Sequence, residues 1–376
     1  MRLDVNVVRL TRPFTGVGRY LLSLLREWSG MTLPFDEVVL HAPVALHPSA
    51  AAFPEERHRL EVRGPRGPDP LWEWWTLGPR SRAGGVLFSP YTLPLGYRGR
   101  AVVTYFGPAT NLPFTLEGWR ARAYDRLYRA SARRAACVLT AAGRVKQRIV
   151  EAYGVPEARV EVIPLAPDPS FTPVADAERL GRVRRSCGVG DGTYVLFVGK
   201  LSGRHCIPQL IEAFGRVRQG ASGPLRLLLV GPNVLGLDVA AAARASGVAD
   251  AVVHRAQVSE EDLPALYSGA EAFVFPATEA EGFGLPLVEA MACGTPVLST
   301  ARGSVPEVTG EAALLAPSNE VGALAGVLEG ILRDQGLRAE LRRRGLERAR
   351  SFSWRTTAER TMEVLGRVAR VPPVGA

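Results

Sequence analysis

Residues 281–296 read EGFGLPLVEAMACGTP, and this stretch decides how the chain is interpreted. Pro286 suits the first turn of a helix, where its missing N–H group costs no hydrogen bond, and Gly294 with Pro296 ends that helix after about two turns. Glu281 therefore lies in the loop before the helix, and Glu289 lies near the N-terminal end of the helix. The stretch predicts a loop–helix junction that carries two carboxylates.

The turn formed by Gly282, Phe283, Gly284 and Leu285 predicts an anion site. Such a turn can direct free backbone N–H groups outward at the positive end of the helix dipole, which favours a bound phosphate. Carboxylates beside a phosphate would repel it unless they are reserved for hydroxyl groups. We therefore expect a ligand with both phosphates and sugar hydroxyls, such as a nucleotide-diphosphate sugar. The alternative is a buried helix start with one capping glutamate.

The same stretch resembles the signature of the family 4 retaining glycosyltransferases, in which two glutamates are spaced as Glu281 and Glu289 are here. The continuation resembles that family too, with SVPEV at residues 304–308 and EAALL at residues 311–315. The resemblance implies an α/β chain with the GT-B fold, in which two Rossmann-like, doubly wound parallel-sheet domains face each other across a cleft. It also implies sugar transfer from a nucleotide-diphosphate sugar with anomeric retention, without a metal or another cofactor.

Length and composition agree with two domains, because 376 residues with 47% apolar side chains can form two cores. The first ten residues alternate charged with β-branched side chains, which predicts a strand and not a signal peptide, and no stretch predicts a membrane span. We therefore expect a cytoplasmic protein. The four cysteines show no CxxC pair, so neither a disulfide framework nor a zinc site is indicated.

The positive charge is concentrated in the first half. Residues 1–170 have a net charge of +8, whereas the remainder has +1. This division predicts an acidic surface or acceptor on the N-terminal side. No motif indicates nucleic-acid binding. Prolines punctuate residues 164–175, so we predict a first domain over 1–170, a second over 175–352, and a C-terminal helix over about 354–370, which the resemblance packs against the first domain.

Residues 15–20 read TGVGRY, which predicts a glycine turn between the first strand and a helix. An NAD-type oxidoreductase would need a third glycine where Leu21 stands, so the dinucleotide hypothesis is weak. In the family this loop, with Gly16 and Gly18, lies near the transferring group. The family's His-Asp pair corresponds to Phe106 and Gly107 here. This departure leaves a second interpretation open, namely a GT-B protein that binds a nucleotide sugar or a partner enzyme without efficient catalysis.

Residues 193–199, TYVLFVG, predict a central parallel strand, and cations follow at its C-terminal end. Ligands bind at that end in open α/β sheets, where cations can neutralise a diphosphate. The family usually has Arg-Lys where Arg204-His205 stands, and some members place a cation directly after the glycine, as Lys200 is placed. A solvated loop is the alternative. We predict catalytic roles for Lys200, Arg204 and Glu281. The predicted donor-binding residues are Gly16, Gly18, His205, Gly282, Phe283, Gly284, Leu285 and Glu289.

Two further features concern the acceptor, which the sequence does not identify. The cluster Trp72, Trp74 and Trp75 could stack on a sugar or pack under a helix. A helix predicted over 119–138 places Arg122, Arg126, Arg129 and Arg133 on one stripe. This arginine stripe indicates either peripheral contact with the anionic inner face of a membrane or a solvated basic face. GDP-mannose is the favoured donor on resemblance to mannosyltransferases alone.

Overall fold

The computed structural model describes residues 1–11, 16–50, 59–62, 72–77, 85–90, 92–94, 97, 99–106, 119–220 and 223–370. The described chain forms two compact units. The first comprises Met1–Leu112, Gly118–Leu165 and Ser353–Ala376, and the second includes Ala166–Phe352. The chain passes between them at Leu165 and Ala166, inside the proline-punctuated segment. Gly107 and the side chain of Trp75 lie outside the described residues.

The first unit contains a seven-stranded parallel sheet with the order β3-β2-β1-β4-β5-β6-β7. Its strands are β1 (Arg2–Asn6), β2 (Glu37–Ala42), β3 (Arg59–Val62), β4 (Val86–Pro90), β5 (Arg100–Thr104), β6 (Cys137–Thr140) and β7 (Val160–Val162). Its first three helices are α1 (Gly16–Ser29), α2 (Trp119–Arg134) and α3 (Gly143–Tyr153). The central strands are buried runs of apolar residues, as expected for a parallel sheet covered on both faces.

The two glycines of the TGVGRY motif lie inside a helix and not in a turn before it. Helix α1 begins at Gly16, so Gly16 and Gly18 belong to its first turn. A short 3₁₀ turn, Val8–Leu10, follows β1, and residues 12–15 lie outside the described part of the chain. The prediction that Gly16 and Gly18 form a turn is therefore wrong. The described turn after β1 is the 3₁₀ turn, and both glycines belong to the helix.

The second unit contains a six-stranded parallel sheet with the order β10-β9-β8-β11-β12-β13. Its strands are β8 (Thr193–Val198), β9 (Leu225–Val230), β10 (Val252–Arg255), β11 (Ala272–Phe275), β12 (Val297–Thr300) and β13 (Ala313–Ala316). Its helices are α4 (Ala177–Ser186), α5 (Ile207–Arg218), α6 (Val239–Ala245), α7 (Leu263–Ser268), α8 (Leu285–Ala292), α9 (Val305–Thr309), α10 (Val321–Arg333) and α11 (Gln335–Ala349).

Both sheets have the doubly wound strand order, which confirms the predicted fold class. In the second sheet the order reverses between β8 and β11, and in the first between β1 and β4. A ligand in such a sheet binds outside the carboxyl ends of the strands at this reversal. We therefore expect a ligand site of the second unit among the residues that follow β8 and β11.

Helix α8 has the ends that its sequence predicts. Pro286 stands in its first turn, Gly284 precedes it with φ 79°, and Gly294 follows it with φ 69°. Both glycines are in the left-handed region, which other residues rarely adopt. The loop–helix junction predicted from residues 281–296 is confirmed.

The last helix, α12 (Trp354–Arg370), belongs to the first unit. It packs on α1, where Trp28 Nε1 donates a hydrogen bond to the Ala358 carbonyl oxygen at 3.1 Å. Thr357 Oγ1 donates to the Pro164 carbonyl oxygen at 2.7 Å. The first unit is thus built from two separated parts of the sequence. Among the described helices, none is both long enough and apolar enough to cross a membrane.

Candidate functional site

Two loops of the second unit meet at the reversal point of its sheet. One follows β8 and carries Lys200, Arg204 and His205, and the other follows β11 and leads to Glu281. A backbone hydrogen bond joins them, because the Thr278 N–H donates to the Arg204 carbonyl oxygen at 3.1 Å. We call this pair of loops the switch-point site. It brings together the three residues predicted to be catalytic.

Lys200 and Arg204 form the cationic part of the switch-point site. Both are partly buried. The pKa of Lys200 is lowered, first by burial and then by the positive charge of Arg204. Two like charges held near each other are stabilised when an anion binds beside them. This part of the site is therefore suited to a polyanionic group such as a diphosphate.

Glu281 forms the acidic part, and its carboxyl group is buried, with 8% of the residue exposed. Burial raises the pKa of Glu281, but nearby His205, the charge of Arg204 and the Gly282 N–H group outweigh burial and lower it below its ordinary value. The Oε2 atom lies 3.4 Å from His205 Nε2, an ion-pair distance without hydrogen-bond geometry to any described residue. Glu281 is therefore an ionised carboxylate in a protein-lined position.

The turn before α8 has the features of an anion cradle. Among the described residues, the N–H groups of Phe283, Gly284 and Leu285 donate no hydrogen bond to a protein acceptor. These groups lie at the positive end of the helix dipole, where an anion would satisfy them. The Phe283 ring points into the protein and meets Phe352 edge-to-face at 5.7 Å between centroids. Only the backbone of Phe283 is therefore suited to a ligand.

Glu289 is more buried than a residue at the surface of a cleft would be. It is the fifth residue of α8, only 5% exposed, and its Oε2 accepts a hydrogen bond of 2.9 Å from Tyr267 Oη. Tyr267, which belongs to α7, thus fixes one oxygen of the Glu289 carboxylate. Tyr267 is a residue that sequence reasoning missed, because it lies 22 positions earlier in the chain.

Gly303 is another residue that the sequence did not single out. It has φ 56°, and a Cβ atom there would lie 3.0 Å from the Thr278 carbonyl oxygen and 3.1 Å from that of Glu281. Thr278 and Glu281 both belong to the loop after β11, which joins Phe275 to Leu285. Gly303 therefore lets the chain after β12 pass close behind this loop. The only sequence signal was a glycine before the SVPEV motif.

In the first unit, Phe106 is the residue that the resemblance sets at the position of the family histidine. Its ring meets Tyr20 edge-to-face at 5.2 Å, and Tyr20 also lies 6.3 Å from the ring of Trp354. Tyr20 belongs to the TGVGRY motif, so the motif and the Phe106 position do come together. Gly16 and Gly18 are one and a half turns or less from this cluster on α1. The contact is apolar and cannot transfer a proton.

A buried polar cluster lies at the reversal point of the first sheet, between β1 and β4. Asn6 Nδ2 donates to Glu73 Oε1 at 2.8 Å and lies 3.1 Å from Ser89 Oγ, while Thr92 Oγ1 donates to Glu73 Oε2. Sequence reasoning missed this cluster because its members are 67 and 19 positions apart along the chain. The neighbouring Trp72 is 3% exposed and packs in the apolar core, which favours packing over sugar stacking for that tryptophan.

The arginine stripe is divided between two roles. Arg129 lies 3.9 Å from Asp125 and over the ring of Tyr153, and Arg133 Nε donates to the Tyr153 carbonyl oxygen at 2.7 Å. These two side chains therefore fasten α2 to the end of α3. All four arginines of the stripe are exposed, and Arg122 and Arg126 take no part in these contacts with Tyr153.

The comparisons with known proteins agree with this geometry. The family models "Glycosyltransferase Family 4" and "Glycosyl transferases group 1" match residues 14–171 and 184–348 respectively. The chain is 31% identical over 372 residues to O-antigen chain mannosyltransferase B of Escherichia coli, covering 93% of this chain and 95% of that protein. The chain belongs to the family 4 glycosyltransferases. It is accordingly an enzyme that transfers sugars.

Other relatives and solved structures support the same family and fold. D-inositol 3-phosphate glycosyltransferase of Salinispora arenicola is 33% identical over 231 residues, covering 58% of this chain and 52% of that protein. HepE from Anabaena, solved with UDP-glucose, has a TM-score of 0.77 at 17% identity, covering 98% and 100% of the two chains. Sucrose-phosphate synthase from Thermosynechococcus elongatus has a TM-score of 0.73 at 21% identity, covering 96% and 98%. The fold of this glycosyltransferase is GT-B.

Proposed function

We propose that this glycosyltransferase moves a hexose from a nucleotide-diphosphate sugar to an acceptor with retention of the anomeric configuration. The observation that supports the proposal is the switch-point site, where Lys200 and Arg204 share the edge of the second sheet with Glu281 and the turn before α8. Cations and free N–H groups suit the diphosphate, and an ionised carboxylate beside them suits sugar hydroxyls.

The protein's contribution to the reaction is the stabilisation of negative charge. As the bond between the anomeric carbon and the diphosphate breaks, charge grows on the departing phosphate oxygen. We assign the stabilisation of that charge to Lys200, Arg204 and the N–H groups of residues 283–285, which donate to no described protein acceptor. The departing phosphate oxygen can then take the acceptor proton on the same face of the sugar. This step needs neither a protein base nor a metal ion.

The remaining predicted donor residues have distinct proposed roles. Glu281 holds hydroxyl groups of the transferred sugar, and Glu289, oriented by Tyr267, holds the ribose of the nucleotide. The glycines at the start of α1 serve the first unit's side of the reaction, where Tyr20 and Phe106 are in contact. The acceptor is a glycan, a lipid-linked sugar or a small molecule.

The favoured donor is GDP-mannose. This choice rests on the relative whose printed function is O-antigen chain mannosyltransferase, since that likeness covers 93% of this chain. UDP-glucose is the second candidate, because HepE, which shares the fold, was solved with it.

A thermal-shift screen tests the donor directly. The protein is heated with UDP, GDP or ADP, and then with UDP-glucose, GDP-mannose or ADP-glucose. A ligand at about 100 times its dissociation constant should raise the free energy of unfolding by about 2.7 kcal/mol. We expect stabilisation by GDP and GDP-mannose, followed by slow hydrolysis of GDP-mannose in the absence of an acceptor. Failure of every nucleotide and sugar nucleotide to stabilise the protein would contradict the proposal.

A peripheral membrane location is part of the proposal. Helix α2 presents Arg122 and Arg126 at the surface of the first unit, and the described chain holds no helix able to cross a bilayer. An anionic membrane surface attracts such arginines. We propose that the enzyme works in the cytoplasm, with α2 approaching the inner membrane face when the acceptor is lipid-linked.

A further inference from the structure

His205 lies at the centre of the switch-point site, yet its side chain is directed into the protein. It ends the short 3₁₀ turn Gly203–His205 and is 4% exposed. Its imidazole ring packs at 5.4 Å from the ring of Phe197 and 4.8 Å from that of Phe275, near the ends of β8 and β11. A ring buried between two strands in this way cannot swing out to a phosphate without losing both contacts.

The hydrogen bonds of the ring define its orientation. The Nδ1 atom lies 2.7 Å from the Lys200 carbonyl oxygen, which can only accept, so Nδ1 carries a hydrogen. Ser202 Oγ lies 3.4 Å from the same nitrogen. The other ring nitrogen, Nε2, therefore faces Glu281, and it lies at an ion-pair distance of 3.4 Å from Oε2.

Glu281 needs such a partner, because burial of an unpaired carboxylate is costly. The charged or polar groups that face His205 are the Lys200 carbonyl group and Ser202 from its own loop and Glu281 from the loop after β11. Arg204, the residue before it, also acts on Glu281 through its charge. Oε2 of Glu281 makes no hydrogen bond with any described residue, so its contact with His205 is the closest compensation on that side.

We propose that His205 is a positioning residue that holds the Glu281 carboxylate from behind through its Nε2 edge, and that it is not a ligand of the diphosphate. This inference rests on the proposed function, since Glu281 is there assigned to hydroxyl groups of the transferred sugar. It assigns the two halves of the donor to different residues. Lys200 and Arg204 bind the diphosphate, and His205 acts on the sugar through Glu281.

The test compares a nucleotide diphosphate with the corresponding sugar nucleotide. Calorimetry measures GDP and GDP-mannose, and UDP with UDP-glucose, on wild type, His205→Gln, Glu281→Gln and the double variant. We expect His205→Gln to keep the affinity for the diphosphate within about twofold but to lower the affinity for the sugar nucleotide at least about tenfold, because the buried Glu281 carboxylate loses the partner at its Oε2 side. The double variant should bind the sugar nucleotide no more weakly than Glu281→Gln does, because both substitutions remove the same interaction between His205 and Glu281.

The pH dependence gives a second readout that a purely structural role would not change. His205 helps to lower the pKa of Glu281, so in His205→Gln burial should raise that pKa and the acid limb of sugar-nucleotide binding should move to higher pH. Glu279→Gln is the matched control, since Glu279 belongs to the same loop but lies 3.8 Å from Arg302. It should change neither affinity.

Three outcomes would overturn the inference. An equal loss of affinity for the diphosphate and the sugar nucleotide in His205→Gln would make His205 a diphosphate ligand or a general support of the fold. Additive effects in the double variant would separate His205 from Glu281. If wild type binds no nucleotide at all, the proposed function fails together with this inference, and that result is distinct from the other two.

Discussion

At the scale of single residues, the donor assignment depends on side chains that contact one another across the two loops. Arg204 and Glu289 are predicted to bind neighbouring parts of the donor, the diphosphate and the ribose, and both can be changed without opening a large cavity. We expect Arg204→Ala and Glu289→Gln each to weaken nucleotide binding by about 1.5–3 kcal/mol, more than about tenfold in affinity. Calorimetry with GDP measures this effect.

Stability measurements separate binding from folding in these variants. Glutamine at position 289 can still accept the hydrogen bond from Tyr267 Oη, so thermal unfolding should change little. Tyr267→Phe is the matched control, because it removes that hydrogen bond and leaves the carboxylate in place. Unchanged GDP affinity in both Arg204→Ala and Glu289→Gln would show that the donor binds elsewhere.

A second prediction at this scale concerns Gly231, which follows β9. A Cβ atom there would lie 2.1 Å from the Gly199 carbonyl oxygen, and the residue has φ 134°. We expect Gly231→Ala to lower the free energy of unfolding by at least about 2 kcal/mol, because strain and overlap add. Gly236→Ala is the control, since Gly236 has φ 62° but no atom within 4 Å of the added Cβ. Equal effects in chemical denaturation would contradict this reasoning.

Sequence reasoning found the residues of the switch-point site but not the directions of their side chains. Lys200, Arg204 and Glu281 were found because they follow strands or lie beside a glycine turn, and such local patterns are visible in one sequence. His205 was expected to help bind the donor, and its inward direction depends on Phe197 and Phe275, which only the folded sheet brings together. The bond between Tyr267 and Glu289 is equally non-local.

At the scale of elements, helix bounds were predictable where proline and glycine mark them. The bounds of helix α8 agree with the positions of Pro286 and Gly294, because each of these residues affects the backbone within one turn of the chain. Helix α1 was harder, since its two glycines suggested a turn, whereas the helix already begins at Gly16 and buries apolar residues from Tyr20 onward. A short aromatic helix was predictable over residues 71–79, but its π-helical form over Glu73–Leu77 had no local signal, because the buried carboxylate of Glu73 is held by Asn6 and Thr92.

Helix α2 gives a prediction about membranes. Only Arg122 and Arg126 of the arginine stripe lie outside the contacts that fasten α2 to α3. If α2 approaches an anionic bilayer, each of them contributes about 1 kcal/mol. Replacing both with glutamine should therefore reduce vesicle binding about thirtyfold, and added salt should reduce wild-type binding in the same direction.

Co-sedimentation with vesicles of phosphatidylglycerol and phosphatidylcholine at low salt measures this binding. The double variant Arg129→Gln with Arg133→Gln is compared with the double variant Arg122→Gln with Arg126→Gln. The changes at positions 129 and 133 should lower thermal stability, because they loosen α2 from Tyr153. Wild-type protein that stays in the supernatant would make the stripe a solvated basic face.

Helix α11 gives a prediction about acid stability. Arg343 and Arg344 donate hydrogen bonds to Glu340 and lower its pKa to about 2. A carboxylate with a lowered pKa contributes stability above its ordinary pKa of 4.5, and that stability is lost as pH falls toward 2. Glu340→Gln should therefore destabilise the protein slightly at pH 6. It should also reduce the loss of thermal stability that wild type shows as the pH falls from 4.5 to about 2. An unaltered acid profile would show that the exposed pair contributes nothing measurable.

At the scale of the whole molecule, the two units depend differently on the end of the chain. Helix α12 supplies buried apolar side chains to the first unit, among them Ala358, Met362 and Leu365. We expect removal of residues 353–376 to destabilise the first unit while the second unit still binds GDP. Hydrogen exchange should then increase across β1, β4 and β5 and remain slow in β8 and β11.

A milder variant tests the same dependence without truncation. Leu365 is fully buried, so Leu365→Ala should cost about 2–5 kcal/mol and should increase exchange in the first unit alone. An increase that spreads equally to β8 and β11 would show that the two units unfold as one.

The position of α12 also sets an order for synthesis. A ribosome makes the chain from the amino end, so Trp28 emerges long before the Ala358 carbonyl group to which it donates, 330 positions later. All of residues 166–352 emerge before α12 does, and the second unit therefore has every strand it needs while the first still lacks a helix. Translation begins with the first unit, but we expect the second unit to complete its fold before the first does. Until α12 has emerged, the apolar face that it covers is exposed, as in the incompletely folded states that chaperones bind.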